Sequence, residues 1–323
     1  MSPIEAQFLY NPEDKGPYCH APTLLETAAG DLLASWYTYG KEEHQDASLT
    51  LARRRNGEIE WGKSQTIIAT EYSAGNPVLF QEPQGRIWLL FVLLKGNYWN
   101  DAVLEGAYSD DNGYNWSAPL QLWNQRGLMA KHPPVQLGNR SLMLPVYDET
   151  SSQSILLVSH NPFAQWKEAY RFADVELIQP VLIREGFGEL ALFFRPCSDP
   201  RRIWRSHSKD DGLSWSSPIR TPLPNPLSGI GAFAVNGCIA VVHNHTEKHQ
   251  RYPLSISISR DGGSTWDHPW NIDSIQYEVS YPCFLTGKGG LIHGVYTYNR
   301  RFIKYVAIHE SQFLQAYGQN RRL

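Results

Sequence analysis

The sequence has no run of about 18 apolar residues that could cross a membrane as a helix. It has little charge imbalance: 29 Lys and Arg against 32 Asp and Glu leave a formal net charge of −3, which argues against a polyanionic nucleic-acid partner. Cysteine is scarce, and the four present (Cys19, Cys197, Cys238, Cys283) lack metal-ligand spacing, so free thiols are expected. The His-x-His at His243 and His245 has no third ligand beside it, so neither a metal site nor a cofactor is implied. The opening residues, Met1 to Gln7, have neither the basic nor the apolar part of a secretory signal. A cytoplasmic protein is expected, or one whose leader has been removed. No convincing long helix pattern is found, and no linker cuts the chain, so residues 1–323 are expected to form a single domain.

What the chain does have is repetition. The pattern Ser-x-Asp-x-Gly-x-x-Trp occurs at Ser109 to Trp116, Ser208 to Trp215 and Ser259 to Trp266. A worn copy has Ser159, Asn161 and Trp166 at the same offsets, and an earlier one surrounds Asn56, Gly57 and Trp61. The five tryptophans are 55, 50, 49 and 51 residues apart, a period that marks a repeat architecture. Locally, the Asp carboxylate can bond turn amides, Gly accepts positive φ, Ser adds a side-chain bond and Trp fills the space below. The motif therefore reads as a hairpin staple rather than as catalytic machinery.

A second repeat supports the first. Short apolar strands begin at Pro22, Pro77, Pro134, Pro180, Gly231 and Pro282, and each is followed by a turn and a returning strand. Third and fourth strands flank the Trp turns. The prediction is an all-β, six-bladed propeller of four-stranded antiparallel blades. Its last blade lacks a strand after Phe302 to His309, which Ala6 to Tyr10 can supply, closing the ring. Arg53-Arg54-Arg55 and Arg201-Arg202 read as exposed charge runs.

This topology gathers the entries to first strands and the exits from second strands on one face, over the central channel. Entries contribute His20, Asn76, His132, Gln179 and Tyr281. Exits contribute Glu42, Asp46, Asp148, Glu149, Arg195, His245, Arg251, Tyr298, Arg300 and Arg301. Guanidinium groups grip a carboxylate at two points, while carboxyl, Tyr or His groups handle protons. The face thus suits an acidic oligosaccharide or glycoconjugate, with no nucleic-acid or membrane partner.

The three Trp turns resemble the Asp boxes of the sialidase superfamily. More closely, the chain is similar to the predicted-neuraminidase group with a BNR-repeat-like domain. The similar segments are Cys19 to Leu24, Leu142 to Glu149, Ile178 to Pro180, Arg251 to Leu254 and Tyr296 to Arg301. The resemblance implies a sialidase-like exo-glycosidase acting on a terminal sialic or uronic acid. It places Tyr281 as the nucleophile, Asp46 or Glu42 as the acid/base, and Arg195 among three carboxylate-binding arginines. Arg251, Arg300 and Arg301 are the other arginine candidates. His20, Asn76, His132, Gln179, His245 and Tyr298 are expected to contact substrate. The sequence departs from the family in two places: His20 stands near the first arginine's place, and Gln179 where a Glu partner of the Tyr belongs. A Gln takes no proton from phenol at neutral pH, so two alternatives stay open. One is a lyase cleaving a uronate-linked glycoside by β-elimination, with His20, His132, His245 and Tyr281. The other is a glycan-binding propeller without catalysis.

Overall fold

The computed structural model describes residues 5–10, 12, 17–41, 45–160 and 166–318. Strand β1 (Glu5–Phe8) is set aside by the chain until the end. Blade one is then β2 (Tyr18–Glu26), β3 (Leu32–Tyr39), β4 (Ser48–Arg54) and β5 (Gln65–Ile68). Blade two is β6 (Ala74–Gln81), β7 (Ile87–Leu94), β8 (Ala102–Ser109) and β9 (Leu120–Gln121). Blade three holds β10 (Leu128–Ala130), β11 (Val135–Gln136), β12 (Leu142–Asp148), β13 (Gln153–Ser159) and β14 (Lys167–Phe172). Blade four is β15 (Leu177–Gly186), β16 (Glu189–Pro196), β17 (Arg202–Ser208) and β18 (Ile219–Pro224). Blade five is β19 (Gly231–Val235), β20 (Cys238–Asn244), β21 (Leu254–Ser259) and β22 (Trp270–Asp273). Blade six joins β23 (Val279–Thr286), β24 (Leu291–Tyr298) and β25 (Phe302–His309) to β1, which pairs antiparallel with β25 from Glu5 opposite Ala307 to Phe8 opposite Lys304. The ring is closed by its first strand, as the sequence predicts.

Adjacent blades pack face to face, so second strands are covered on both sides and carry apolar residues without alternation. Every residue of β7, Ile-Trp-Leu-Leu-Phe-Val-Leu-Leu, is buried. The core lies in these seams: Trp88, Leu90 and Val92 of blade two cluster with Leu144, Val146 and Ile155 of blade three.

The Trp turns behave as staples. In the first, Ser109 Oγ donates to Asp111 Oδ1 (2.7 Å), which also accepts from the Asn115 amide (2.8 Å), while the Gly113 amide donates to Ser109 Oγ (2.8 Å). Asp210 and Asp261 repeat the arrangement with Ser208 and Ser259. Gly113, Gly212 and Gly263 have φ of 82°, 87° and 89°, the left-handed region in which a Cβ is strained.

Three features differ from expectation. Blade three's inner strand is split into β10 and β11, because Pro133 and Pro134 have no N–H for the ladder. A nine-residue helix, α1 (Glu310–Gly318), follows the last strand and buries Phe313 against Phe233 and Trp270. Arg53 and Arg54 are not an exposed run: their side chains are 12% and 11% exposed, paired with Asp31 and Glu5.

Candidate functional site

One backbone device recurs at the entrance of four inner strands. The ladder slips between His20 and Thr23, Gly75 and Val78, Ile178 and Val181, and Ser280 and Cys283. At each slip a non-glycine residue takes positive φ immediately before a proline: Ala21 (53°), Asn76 (47°), Gln179 (50°) and Tyr281 (53°). A bulge bends its strand and re-aims a side chain. Holding four residues in this conformation costs about 1–3 kcal/mol each, strain of a kind that gathers at functional sites. Three of the four side chains, Asn76, Gln179 and Tyr281, line one cavity of about 300 Å³ over the ring axis. At the fourth slip it is His20, the residue before Ala21, that faces the cavity.

The floor is a hydrogen-bonded polar layer. Arg195 Nη1 donates to the Tyr281 hydroxyl and to Gln179 Oε1, both at 3.1 Å. Gln179 Nε2 lies 3.4 Å from Tyr281 Oη and 3.5 Å from Tyr147 Oη, and Asn76 Nδ2 donates to Tyr147 at 3.3 Å. To one side, Glu278 accepts from Arg251 (2.9 Å), Arg300 (3.1 Å) and Ser280 Oγ (2.6 Å). The Arg251 guanidinium stands 5.5 Å from the centre of the Tyr281 ring. A Cβ on Gly229 would come within 2.9 Å of that ring, so glycine is required behind it. Trp99 forms a wall, packed on Gly75, where a Cβ would meet it at 2.8 Å.

The field is positive. Burial alone would raise the Tyr281 phenol, but Arg195, Arg251, the bond from Gln179 and Arg300 outweigh it, and its pKa falls below the ordinary tyrosine value. Tyr147, equally buried and near Glu149, is driven the other way. Burial raises Glu149, with Arg195 opposing and Asp148 reinforcing. Burial also tends to raise Glu278, yet Arg300 and Arg251 hold it below the usual carboxylate range. His20, 2% exposed with its ring 4.4 Å from that of Tyr281, is kept neutral by burial and by Arg300, Arg251, Lys131 and Arg195. Among the described residues, neither of its ring nitrogens has a hydrogen-bond partner.

The residues anticipated from the sequence divide. Tyr281, Arg195, Arg300, His20, Asn76 and Gln179 meet at the cavity, with Arg251 over Tyr281. The others stand apart. Asp46 is committed to its own turn, its carboxylate accepting from the Gly40 and Lys41 amides at 3.1 Å. Arg301 packs over Tyr18, and Tyr298 packs on Phe8 and Phe302. His132 is buried on a separate, more apolar cavity with Leu79 and Cys283. His245 is half-buried beside His243. Glu42 lies outside the described residues. Sequence order gathers Glu149 and the exit segment ending in Trp99 on the right face without distinguishing them, and misses Tyr37, Tyr147 and Glu278. The missed signal was available: Tyr147 and Glu149 flank the end of a second strand, and Glu278 sits two residues before the Ser280-Tyr281-Pro282 entry.

The model of a family described as the BNR repeat-like domain matches residues 30–293. Among curated proteins no sequence matches. Solved structures share the fold. The Hadza microbial sialidase Hz136 superposes with a TM-score of 0.81 at 17% identity, over 95% of this chain and 69% of that one. The intramolecular trans-sialidase from Ruminococcus gnavus, in complex with oseltamivir carboxylate, gives 0.77 at 16% identity, covering 97% and 99%. A Dyadobacter fermentans protein of unknown function gives 0.76 at 14% identity, covering 95% and 98%.

Proposed function

The chain belongs to the BNR repeat-like domain family, and on that premise we propose that its axial cavity binds the carboxylate of a terminal acidic sugar and cleaves that sugar's glycosidic bond. The observation that carries this reading is the Tyr281 phenol at the cavity floor, bonded to Arg195 with Arg251 and Arg300 close by. Guanidinium forks suit a sugar carboxylate, and Arg195 keeps a buried Nε with no partner among the described residues. Solved structures of this fold named as a sialidase and as a trans-sialidase holding oseltamivir carboxylate support a sialylated or similarly carboxylated glycan.

In this reading Tyr281 Oη, its phenol proton given up to water, forms a bond to the anomeric carbon as the bond to the leaving oxygen breaks. The electron pair stays on the leaving oxygen, which takes a proton from Glu149. Burial suits Glu149 to carry that proton nearer neutral pH. The Glu149 carboxylate then takes a proton from water, whose oxygen displaces Tyr281 from the anomeric carbon. Two displacements return the sugar with its configuration retained. Asp46, with its oxygens on turn amides, is less suited to the acid role.

One observation favours elimination as a second reading. His20 is neutral, buried against Tyr281 and, among the described residues, unbonded at both nitrogens, as a base for the proton beside a uronate carboxylate would be. The purified protein is incubated with sialosides and uronate-capped oligosaccharides and the products are weighed by mass spectrometry. Products heavier by one water establish hydrolysis, and cleavage without water addition establishes elimination. If the whole panel survives intact, the catalytic reading is wrong.

A further inference from the structure

Both hydrogen-bonding neighbours of the Tyr281 oxygen are donors. Arg195 has no acceptor to offer. Gln179 offers its nitrogen, because its oxygen already accepts from the same Arg195 Nη1 at 3.1 Å. Turning the amide over would set its N–H against the guanidinium N–H, so the orientation is fixed by Arg195. Among the described residues, nothing within hydrogen-bonding distance of Tyr281 Oη accepts its proton.

We propose that Tyr281 is activated not by a neighbouring base but by two donors, Arg195 and Gln179, which favour the phenolate at its oxygen, with Gln179 acting as a positioning residue. The proton is lost to water before any sugar binds. This rests on the reading of Tyr281 as the nucleophile, and it changes how that nucleophile is made. The groups that face the ring agree with it. Arg251 stands over the ring from the β20–β21 loop, and Arg300 approaches from the β24–β25 turn. Lys131 is buried nearby between β10 and β11, its Nζ donating to the Pro22 carbonyl. His20 on β2 adds a neutral ring. Of the two carboxylates, Glu278 is bound by two arginines and a serine, and Glu149 is biased by burial towards its neutral form. Tyr147, the other phenol on Gln179, is pushed up while Tyr281 is pulled down. Such a split between paired titratable groups separates an anionic partner from a neutral one.

The test needs no substrate. Protein carrying ¹³C at the ring carbon bonded to the hydroxyl of its 17 tyrosines is titrated by NMR. One signal is expected to pass to the phenolate position below the ordinary tyrosine midpoint of about 10, and to be missing from Tyr281→Phe. Gln179→Met, which removes a donor, is expected to move that midpoint up by about one pH unit. Gln179→Glu moves it further, because a carboxylate accepts the phenol proton and repels the anion. Should Tyr281→Phe not fold, Tyr147→Phe must retain the low-titrating signal. A wild-type midpoint at or above the ordinary value, or one indifferent to Gln179→Met, overturns the proposal. A low midpoint with no glycoside cleaved overturns the nucleophile reading alone, and cleavage with a high midpoint overturns only the phenolate.

Discussion

The side-chain amide of Gln179 lies between two phenols of opposite tendency, its nitrogen 3.4 Å from Tyr281 Oη and 3.5 Å from Tyr147 Oη. For Tyr281, burial is outweighed by Arg195, Arg251, the Gln179 bond and Arg300, so its pKa is lowered; for Tyr147, burial prevails and its pKa is raised. If the anion is the working form, kcat/KM on a substrate whose leaving group needs no proton rises as pH climbs through the Tyr281 value, which lies below that of an ordinary tyrosine. Arg195→Lys should carry that rising limb to higher pH, since the shorter lysine side chain does not bring its ammonium to the place from which Nη1 donates to both Tyr281 and Gln179. Tyr147→Phe should lower kcat about tenfold, roughly what one hydrogen bond contributes, and leave the limb in place. A limb that follows Tyr147 rather than Arg195 would reverse the assignment.

The proton donor is separable by mutation. Glu149 is raised by burial first and by Asp148, with Arg195 opposing, so its acid form persists above the usual carboxylate range and is lost as pH rises. Glu149→Gln should cut kcat on a natural glycoside by about 10²–10⁴, the usual contribution of a positioned acid. A substrate with an acidic phenol as leaving group needs no proton and should recover most of the loss. Asp46→Asn should change kcat little, because among the described residues that carboxylate accepts from the amides of its own turn. Equal losses in both variants would return the acid role to the first blade's exit loop.

The ring was legible because its signals are local and repeated. Trp spacing, Pro-led strands and hairpin composition each express a constraint inside one blade, and β1 could be placed because blade six was one strand short. Half of the candidate site was legible for the same reason: Asn76, Gln179 and Tyr281 occupy equivalent places in the inner strands of blades two, four and six. What stayed hidden depends on contacts between blades. Whether Asp46 faces the cavity or its own turn is decided by unsatisfied amides at residues 40 and 41, not by its position in the chain. The pairing of Arg251 and Arg300 with Glu278 joins residues from three separated loops, and no spacing announces it. The burial of Arg53 and Arg54 escaped for a similar reason, since their partners lie 22 and 49 residues away.

The stapled turns predict an acid-sensitive scaffold. Asp111, Asp210 and Asp261 are each lowered to about 2; the bonds from Asn115, Ser214 and Thr265 at the fourth residue onward are the largest causes. Their folded pKa values lie below the unfolded value of about 3.9, so the stabilisation is present above that pH and is lost as pH falls towards 2. Asp111→Ala should lower Tm at pH 7 and make stability fall less steeply between about pH 4 and 2. Thermal melts across that range decide it: an acid slope identical to wild type would mean that the turn's hydrogen bonds do not bias the carboxylate.

The seam where the chain's two ends meet is clasped by one guanidinium. Arg54 of blade one donates through Nη1 to both Glu5 oxygens (2.9 and 3.0 Å) and through Nη2 to the Tyr305 hydroxyl (2.9 Å) in blade six. Its ring-facing surface also covers Trp61 and Tyr305, 5.8 and 4.9 Å from the ring centres. With 11% of the Arg54 side chain and 27% of the Glu5 side chain exposed, water screens the pair only in part. Arg54→Met keeps the stem against the aromatic rings but takes the guanidinium from Glu5, which keeps the Gln7 amide donor, and from Tyr305, and should cost about 2–3 kcal/mol in urea unfolding. Glu5→Gln keeps a hydrogen-bond acceptor and should cost less, and the double variant should lose less than the sum of the two, because the residues share one interaction. Strict additivity would mean that strand pairing from Glu5 to Phe8 closes the ring without help from the clasp.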